Sequence, residues 1–398
     1  MLWWESPRAL GAALQYADNT PTMRAFTCKR CHVLVPFESQ VCQHCAASQG
    51  FDPDGGALET LKPVGTYFAP IGQLTAVWAR CSQSCRTGCN WLVPVEAAGG
   101  PCLSCRLTAN RPPLHQQDYC DAFAKAEVAK RRLVYQLLQL RLPIVGRDED
   151  AEGGLSFELL ASDRHVVTGH ANGVITLDLN ETDDVFREQT RTQFGEPYRT
   201  ILGHFRHEIG HYYWLTLIAR PGSQGMAKDL LAEARDLFGD YDADYVSARD
   251  AHYARGPDQE WGHSYVSAYA SMHPLEDWAE TFAHYLHIWD AVQTAASFGV
   301  LVGGPVDDRT GRRDPALASA PSEETADLEG FDAVIADWLP LTLALNALNR
   351  SLGKDDLYPF ELPPAVIAKL AFVHKVTTAF HKAAAQQPPD RSSAEPAA

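Results

Sequence analysis

Apolar side chains recur at helical spacing through most of the second half of the chain. Between Asp118 and Leu142 they return every three or four residues, which predicts one long helix. Another helix is expected from about Pro197, a residue suited to a first helical turn, to about Arg220, where Pro-Gly follows. The same periodicity predicts further helices over about 226–238, 242–255, 276–297, 331–351 and 364–384.

A β pattern interrupts the helices at residues 164–180. Residues 173–179 read Gly-Val-Ile-Thr-Leu-Asp-Leu and follow an Asn-Gly turn signal, which predicts a strand. We expect this strand to form an exposed sheet edge beside the helix that begins near Pro197. Long helices with one short sheet indicate an α+β fold that is mainly helical, with a small edge sheet.

Cysteines are concentrated at the start of the chain. All 10 lie before residue 121, and several form Cys-x-x-Cys pairs. The first two pairs have the spacing of a four-thiolate zinc site in a small β ribbon, which needs its metal to fold. The four predicted ligands of this first site are Cys28, Cys31, Cys42 and Cys45.

An internal repeat of the same pattern predicts a second ribbon. Each half has a short β-branched run that ends at proline and precedes a Cys-x-x-Cys pair. The repeat assigns Cys89, Cys102 and Cys105 to the second site and leaves Cys81 or Cys85 as the fourth ligand. The repeat alone favours Cys85, because it gives the shorter loop.

Composition and charge narrow the class of protein. The chain has 398 residues, of which 45% are hydrophobic, so it can form two or three domains with a sizeable core. Its formal net charge of -16 argues against nucleic acid as a partner. The sequence has no recognisable export signal and no apolar stretch that we expect to span a bilayer. Zinc thiolates in such a chain favour the cytoplasm.

The pentapeptide His207-Glu-Ile-Gly-His211 carries the strongest chemical signal. On a helix, the two imidazoles lie one turn apart on one face and can bind a single zinc ion. Glu208 would lie beside the water that such an ion activates, where it can act as general base. The pattern predicts hydrolysis, most directly of a peptide or protein substrate.

A carboxylate from a second helix is needed to complete the metal site. Glu276 and Glu280 are one turn apart, so either could bind zinc while the other bonds a ligand histidine. Asp240, Asp242 and Asp244 form an alternative acidic cluster, although Asp240 and Asp242 fit better as charges at a helix N-terminus.

Three further histidines lie close to these motifs in the sequence. His204 is expected to support the site from the core rather than to bind metal. His284 or His287 could orient one of the carboxylates.

Three segments resemble a bacterial family of zinc-binding metallopeptidases with an N-terminal zinc-ribbon region. They are residues 198–214, which include the pentapeptide, residues 266–287, which include Glu276, and residues 89–94, which read Cys-Asn-Trp-Leu-Val-Pro. The resemblance extends from about Met23 to about Ala296 and implies a zincin-like fold. It also favours Cys81 as the fourth ligand of the second ribbon.

A looser similarity to the lethal-factor and Pro-Pro endopeptidase type of gluzincin implies individual roles. In that group the first Glu of the pair binds zinc, and a Tyr seven residues earlier stabilises the oxyanion. Carried over, this makes Glu276 the third ligand, Glu280 its supporting residue and Tyr269 the oxyanion donor.

The sequence therefore predicts a zinc metallopeptidase with one catalytic and two structural zinc ions. The alternative is a non-catalytic interaction module that retains a peptidase-like fold, with the ribbons as a docking site for a protein partner. The expected organisation is a flexible extension (1–22), a region of two ribbons (23–111), a helical linker (112–149), a peptidase domain (150–384) and a disordered tail (385–398).

Overall fold

The computed structural model describes residues 25–72, 77–113, 116–161, 166, 168–219, 226–306, 310–322 and 330–386. The extension expected at residues 1–22 lies outside these ranges. So does the tail expected at 385–398, except for its first two residues, which end the last helix.

The cysteine-rich segment folds around one antiparallel sheet whose five strands follow in chain order. Two one-turn helices, α1 (Ser84–Thr87) and α2 (Leu103–Arg106), flank the last strand of this sheet. The two ribbons therefore share one sheet. A further parallel bridge between Phe51 and Trp91 joins the first strand of this sheet to the residue that precedes the last strand. The strands are β1 (Ser48–Asp52), β2 (Ala57–Val64), β3 (Tyr67–Pro70), β4 (Trp78–Arg80) and β5 (Leu92–Pro94).

A second, mixed sheet has the order β6-β7-β9-β8. Its strands are β6 (Thr108–Asn110), β7 (Ser156–Leu160), β8 (Gly169–Ala171) and β9 (Val174–Asp178). Strand β9 pairs with β7 on one side and with β8 on the other. The expectation that residues 173–179 form the sheet edge is therefore wrong. The three-residue strand β8 holds that position among the described residues, because it folds back on β9 through the Asn-Gly turn.

Eight longer helices supply most of the remaining structure in the part of the chain described above. The α+β class and the largely helical second part expected from the sequence are confirmed. The helices are α3 (Gln117–Gln139), α4 (Asp184–Phe194), α5 (Ile201–Tyr213), α6 (Met226–Phe238), α7 (Tyr245–Arg255), α8 (Pro274–Ser297), α9 (Phe331–Ser351) and α10 (Pro364–Gln386).

Side-chain caps set the first residues of α5 and α7. The backbone N–H of Gly203 donates to the Thr200 hydroxyl at 2.9 Å, so α5 begins after Thr200 and not near Pro197. A π-helical turn, Trp214–Ile218, continues the chain after α5. Asp244 caps α7 in the same way as Thr200 caps α5.

Helix α3 belongs to the core of both halves of the molecule. Its residue Tyr135 lies against the ring of Phe51 in the ribbons. The next residue, Gln136, donates to the Leu286 carbonyl of α8 at 2.6 Å and accepts from Arg206 of α5 at 3.0 Å. The segment expected to be a linker therefore connects the ribbons to α5 and α8 through buried contacts.

Helix α9 is long and apolar enough to cross a membrane by length and composition, contrary to expectation. A core helix can pass the same test. Trp338 and Leu341 of α9 are buried, and the helix packs against α8 and α10.

Helices α5 and α8 approach most closely at Gly210. A Cβ atom at this position would lie 3.0 Å from the Ala279 Cα and 3.2 Å from both the Ala279 oxygen and the Phe282 Cβ. The Trp278 indole N–H closes the contact by donating to the Gly210 carbonyl at 2.8 Å. The absence of a side chain at residue 210 therefore sets the spacing of the two helices.

We predict that Gly210→Val lowers the free energy of unfolding by roughly 3 kcal/mol or more, because its side chain would press on backbone atoms that cannot move cheaply. Denaturant titration measures the change. Gly262→Val is the control, since a Cβ at residue 262 meets nothing within 4 Å. Equal stability of the two variants would contradict the packing account.

Candidate metal centre

The first group of cysteines forms a four-sulfur cluster. Sulfur atoms of Cys28, Cys31, Cys42 and Cys45 all lie within 4.8 Å of one another. The Cys28–Cys45 and Cys31–Cys42 separations are both 3.6 Å. Sulfurs around a tetrahedral zinc ion are separated by about 3.8 Å, whereas a disulfide joins them at about 2.05 Å. The spacing therefore fits a metal and not a disulfide.

Neighbouring donors favour the thiolate form in this cluster. The side-chain amide of Gln49 lies 3.6 Å from the Cys28 sulfur, and the Thr60 hydroxyl lies 3.8 Å from it. Burial opposes the charged form, but hydrogen bonds led by the Arg30 and Cys31 backbone lower the pKa of Cys28 to about 6. A thiolate is the form that binds zinc.

The second cluster contains Cys81, Cys89, Cys102 and Cys105, all buried and within 4.8 Å of one another. The Cys89 and Cys102 sulfurs are 3.7 Å apart. Cys85 is exposed and lies outside the cluster, so the choice of ligand suggested by the internal repeat alone does not match the geometry.

Helix α3 places two buried cations beside the second cluster. Lys130 and Arg131 are both fully buried, and among the described residues their acidic partner is Glu127, at 2.7 Å from Lys130 and 4.0 Å from Arg131. Arg131 also donates to the Thr87 carbonyl at 2.9 Å, in the loop that leads to Cys89. Four thiolates around a divalent ion carry net negative charge, which offsets the excess cation.

We predict that Cys81→Ser removes one zinc ion per chain and destabilises the ribbons, whereas Cys85→Ser changes neither. Metal analysis by mass spectrometry and thermal unfolding measure the two effects. Loss of zinc from Cys85→Ser, with Cys81→Ser unaffected, would reverse this assignment.

Helix α5 presents the two imidazoles of the pentapeptide to α8. The Nε2 atoms of His207 and His211 are 3.2 Å apart. Glu276, in the first turn of α8, brings one oxygen to 3.0 Å from His207 Nε2 and the other to 3.4 Å from His211 Nε2. Ligand atoms 2.0–2.1 Å from a tetrahedral zinc ion are separated by roughly 3.3–3.4 Å, so these three groups have the spacing of a zinc site.

The hydrogen bonds around this triangle also fit a cation. His207 Nδ1 lies 2.6 Å from Glu280, so its Nε2 is directed at Glu276 and His211. Glu276 Oε2 is buried and has no hydrogen-bond partner, although His207 Nε2 is near. Burial lowers the pKa of His207, but the nearby carboxylates of Glu276 and Glu280 outweigh that effect and raise the pKa well above its usual value. The site therefore favours positive charge at this point.

Glu280 contacts the Nδ1 atom of His207, on the side of the ring away from the triangle. No described contact joins Glu280 to the Nε2 atoms or to Glu276. Its second oxygen accepts from the Ser267 hydroxyl at 2.6 Å. Burial would raise the pKa of Glu280, but the hydrogen bond from His207 lowers it to about 2. The two acidic residues of α8 thus have different surroundings, with Glu276 between the imidazoles and Glu280 behind one of them.

Glu208 lies at the side of the triangle. One of its carboxylate oxygens is within 4.8 Å of a nitrogen from each of His207 and His211. Burial raises its pKa, and the two imidazoles partly oppose that shift. A carboxyl group with a raised pKa can accept and return a proton more readily near neutral pH.

Two tyrosines lie beside the triangle formed by His207, His211 and Glu276. The Tyr269 ring lies 5.9 Å from the His207 ring. Tyr245, on α7, donates to Glu276 Oε1 at 2.9 Å and was not identified from the sequence. Burial and the negative charge of Glu276 raise the pKa of both phenols, so both remain protonated donors.

The acidic alternative to Glu276 lies elsewhere. Asp240 and Asp242 pair with Arg235 at 3.5 and 2.6 Å. Asp244 is the N-cap of α7 and accepts from two backbone N–H groups. Asp244 therefore lies at the N-terminus of α7, whereas Asp240 and Asp242 precede that helix and pair with Arg235 of α6.

The three neighbouring histidines are not ligands of the triangle by any described contact. Burial lowers the pKa of His204 to about 3 and that of His284 to about 4. His284 bonds the Tyr358 hydroxyl and His287 bonds Arg206. Neither makes a described hydrogen bond to Glu276 or Glu280, and it is Ser267 that orients Glu280.

Comparison with known families agrees with this architecture. Residues 119–376 match the family described as "Putative zinc-binding metallo-peptidase", and residues 25–116 match a zinc-ribbon domain. The chain belongs to this metallopeptidase family, which confirms the resemblance drawn from the motifs.

Similar proteins occur in mycobacteria. An uncharacterized protein of Mycobacterium tuberculosis strain H37Rv is 48% identical over 355 residues, which cover 89% of this chain and 95% of the relative. An uncharacterized protein of Mycobacterium bovis gives the same values. No solved structure matches the chain.

Proposed function

We propose that the protein is a zinc-dependent peptidase in which His207, His211 and Glu276 hold the metal and Glu208 is the general base. The observation that carries the proposal is the triangle of two imidazole nitrogens and one carboxylate, with sides of 3.0–3.4 Å. The unpartnered Glu276 oxygen supports it, because a buried carboxylate oxygen without a donor is costly unless a cation compensates it.

Zinc bound there would lower the pKa of a water molecule and polarise the scissile carbonyl. The residues of the chain then perform the proton transfers. Glu208 accepts a proton as the water oxygen bonds to the carbonyl carbon, and it later gives that proton to the leaving amine nitrogen as the C–N bond breaks. Burial raises the pKa of Glu208, which makes its carboxylate a better proton acceptor for the first step.

The surrounding side chains would fix the geometry. Glu280, itself held by Ser267, accepts from His207 Nδ1 and so keeps Nε2 free for metal. Tyr245 holds one Glu276 oxygen. In this proposal Tyr269, whose pKa is raised by burial, keeps its proton and donates to the oxyanion that forms during attack.

Strand β8 is the element best suited to align a peptide substrate. It is the edge of its sheet among the described residues, and its His170 ring stacks on His211 with centroids 6.1 Å apart. An extended peptide can add to such an edge through backbone hydrogen bonds. We infer that the scissile bond is presented to the centre in this way.

The complete protein is proposed to hold three zinc ions, one at the triangle and one in each cysteine cluster, and to act in the cytoplasm, where thiolates persist. We infer that the ribbons brace the fold through α3, and they remain available to dock a protein partner.

We predict that Glu208→Gln retains zinc but lowers kcat by at least about a hundredfold, because the amide cannot accept the proton. Hydrolysis of a fluorogenic peptide library and metal analysis provide the two readouts. Glu96→Gln, an exposed change in the ribbons, serves as the control and should behave as the parent. A Glu208→Gln enzyme as active as the parent would refute the mechanism, and a parent inactive on all peptides would favour the binding-module alternative.

The two tyrosines give a separate test. Tyr245→Phe should weaken zinc affinity by about 10–100-fold, because Glu276 loses the donor that orients it. Tyr269→Phe should leave zinc affinity unchanged and lower kcat by about 100-fold or more. Chelator competition and steady-state kinetics measure these quantities, and the opposite assignment of effects would exchange the two roles.

A further inference from the structure

His170 is held beside the candidate metal centre by the strand that carries it. In the pairing of β8 with β9, His170 lies opposite Ile175, which is fully buried. Directly opposite residues point to the same face of a sheet, and α5 packs against both strands. The His170 imidazole stacks on the ring of His211, with centroids 6.1 Å apart and planes inclined by 14°. The strand that was assigned to the substrate therefore brings a histidine to one of the candidate metal ligands.

The turn after β8 determines which backbone groups of His170 are free. The two strands are joined by a two-residue turn, Asn172-Gly173, whose φ angles are 48° and 81°. The pair that flanks such a turn exchanges hydrogen bonds, and bonded and non-bonded pairs alternate along an antiparallel ladder. The next pair, His170 with Ile175, is therefore non-bonded. The N–H and C=O of His170 point away from β9, toward the edge that is open among the described residues.

The imidazole of His170 has one nitrogen in use and one available. The backbone N–H of Gly173 donates to Nε2 at 3.1 Å, so Nε2 is the unprotonated nitrogen and the ring is neutral. The ring proton is then on Nδ1. Nδ1 has no hydrogen-bond partner among the described residues, and it is not one of the unpartnered polar atoms that the fold closes off from solvent. His170 therefore offers an accessible N–H donor on a ring that Gly173 and His211 hold in place.

We propose that His170 binds the backbone of the substrate next to the metal, an inference that rests on the proposed peptidase function. Its N–H and C=O pair with one residue of an extended peptide, and its Nδ1–H donates to a backbone carbonyl of the same peptide. Tyr269 lies against the other imidazole, that of His207, and serves the oxyanion, so the two donors act on different oxygens. Since His170 meets only backbone groups, the substrate class is an unfolded peptide segment with no required side chain at this point.

Three variants separate the roles of the two ring nitrogens. Asn places an amide nitrogen close to the position of Nδ1, Gln places an amide oxygen close to that of Nε2, and Phe keeps only a ring. We expect His170→Phe and His170→Gln to raise KM about 3–10-fold with kcat within about twofold of the parent, because one neutral hydrogen bond to the substrate is lost. His170→Asn should keep KM within about twofold of the parent. His263→Phe, at an exposed histidine outside both sheets, is the control.

The kinetics use three fluorogenic peptides of different sequence that the parent cleaves, and the increase in KM should be similar for all three. A merely structural role predicts the reverse order of variants, because Gln keeps an acceptor for Gly173 and Asn loses it. That reverse order, an unchanged KM in His170→Phe, or an effect confined to peptides with one particular side chain would overturn the inference and leave the peptidase function standing. A parent that cleaves no peptide would overturn both.

The protonated nitrogen of His170 gives a readout that does not depend on turnover. In long-range ¹H–¹⁵N spectra of the full-length protein labelled with ¹⁵N-histidine, the signals that disappear in His170→Gln identify the residue. They should show a protonated Nδ1 and an unprotonated Nε2. A proton on Nε2 would contradict the proposal, because Nδ1 would then have no hydrogen to donate in the neutral ring.

Discussion

Helix α5 can lie against helix α8 at van der Waals distance because residue 210 has no side chain. This contact brings the first turn of α8 beside the two imidazoles of α5. Without it, Glu276 would not reach His207 and His211, and Glu280 would not reach the far nitrogen of His207. The close packing of two helices is thus the constraint that brings the three candidate metal ligands and Glu280 together.

Helices α5 and α8 are also connected to the ribbons, through contacts with α3. Gln136 contacts both α5 and α8, while Arg131 and Glu127, on the same helix, lie beside the second cysteine cluster. Lys130 and Arg131 exceed Glu127 by one positive charge, which the negative charge of a zinc ion with four thiolates would offset. We infer that metal in the second ribbon stabilises the surface on which the candidate centre is built.

Motifs with short internal spacing were predictable from the sequence. The helical face that joins His207 to His211 is a local property, and so are the Cys-x-x-Cys pairs. Most helix positions also followed from periodicity, although the start of α5 depended on the Thr200 cap. Contacts between distant segments could not be predicted, because they leave no periodic pattern in the sequence. Examples are the contacts of Tyr245 with Glu276 and of Ser267 with Glu280.

The departures from expectation have a similar origin. Residues 173–179 do form a strand, but their place inside the sheet depends on pairing with β8, and the β pattern over residues 164–180 does not say which strands pair. Residues 117–139 were correctly expected to be helical, yet their central packing is set by partners far away in the chain. The internal repeat alone favoured Cys85 as the fourth ligand of the second ribbon, whereas the family resemblance favoured Cys81, and the fold places Cys81 in the cluster.

Anomalous X-ray diffraction at the zinc edge, from crystals of the zinc-loaded protein, tests the central claim most directly. The account predicts three zinc peaks, one of them within bonding distance of His207 Nε2, His211 Nε2 and a Glu276 oxygen, with a further position open to solvent. Two peaks confined to the cysteine clusters, or a third ion bound without Glu276 or closed to solvent, would contradict it.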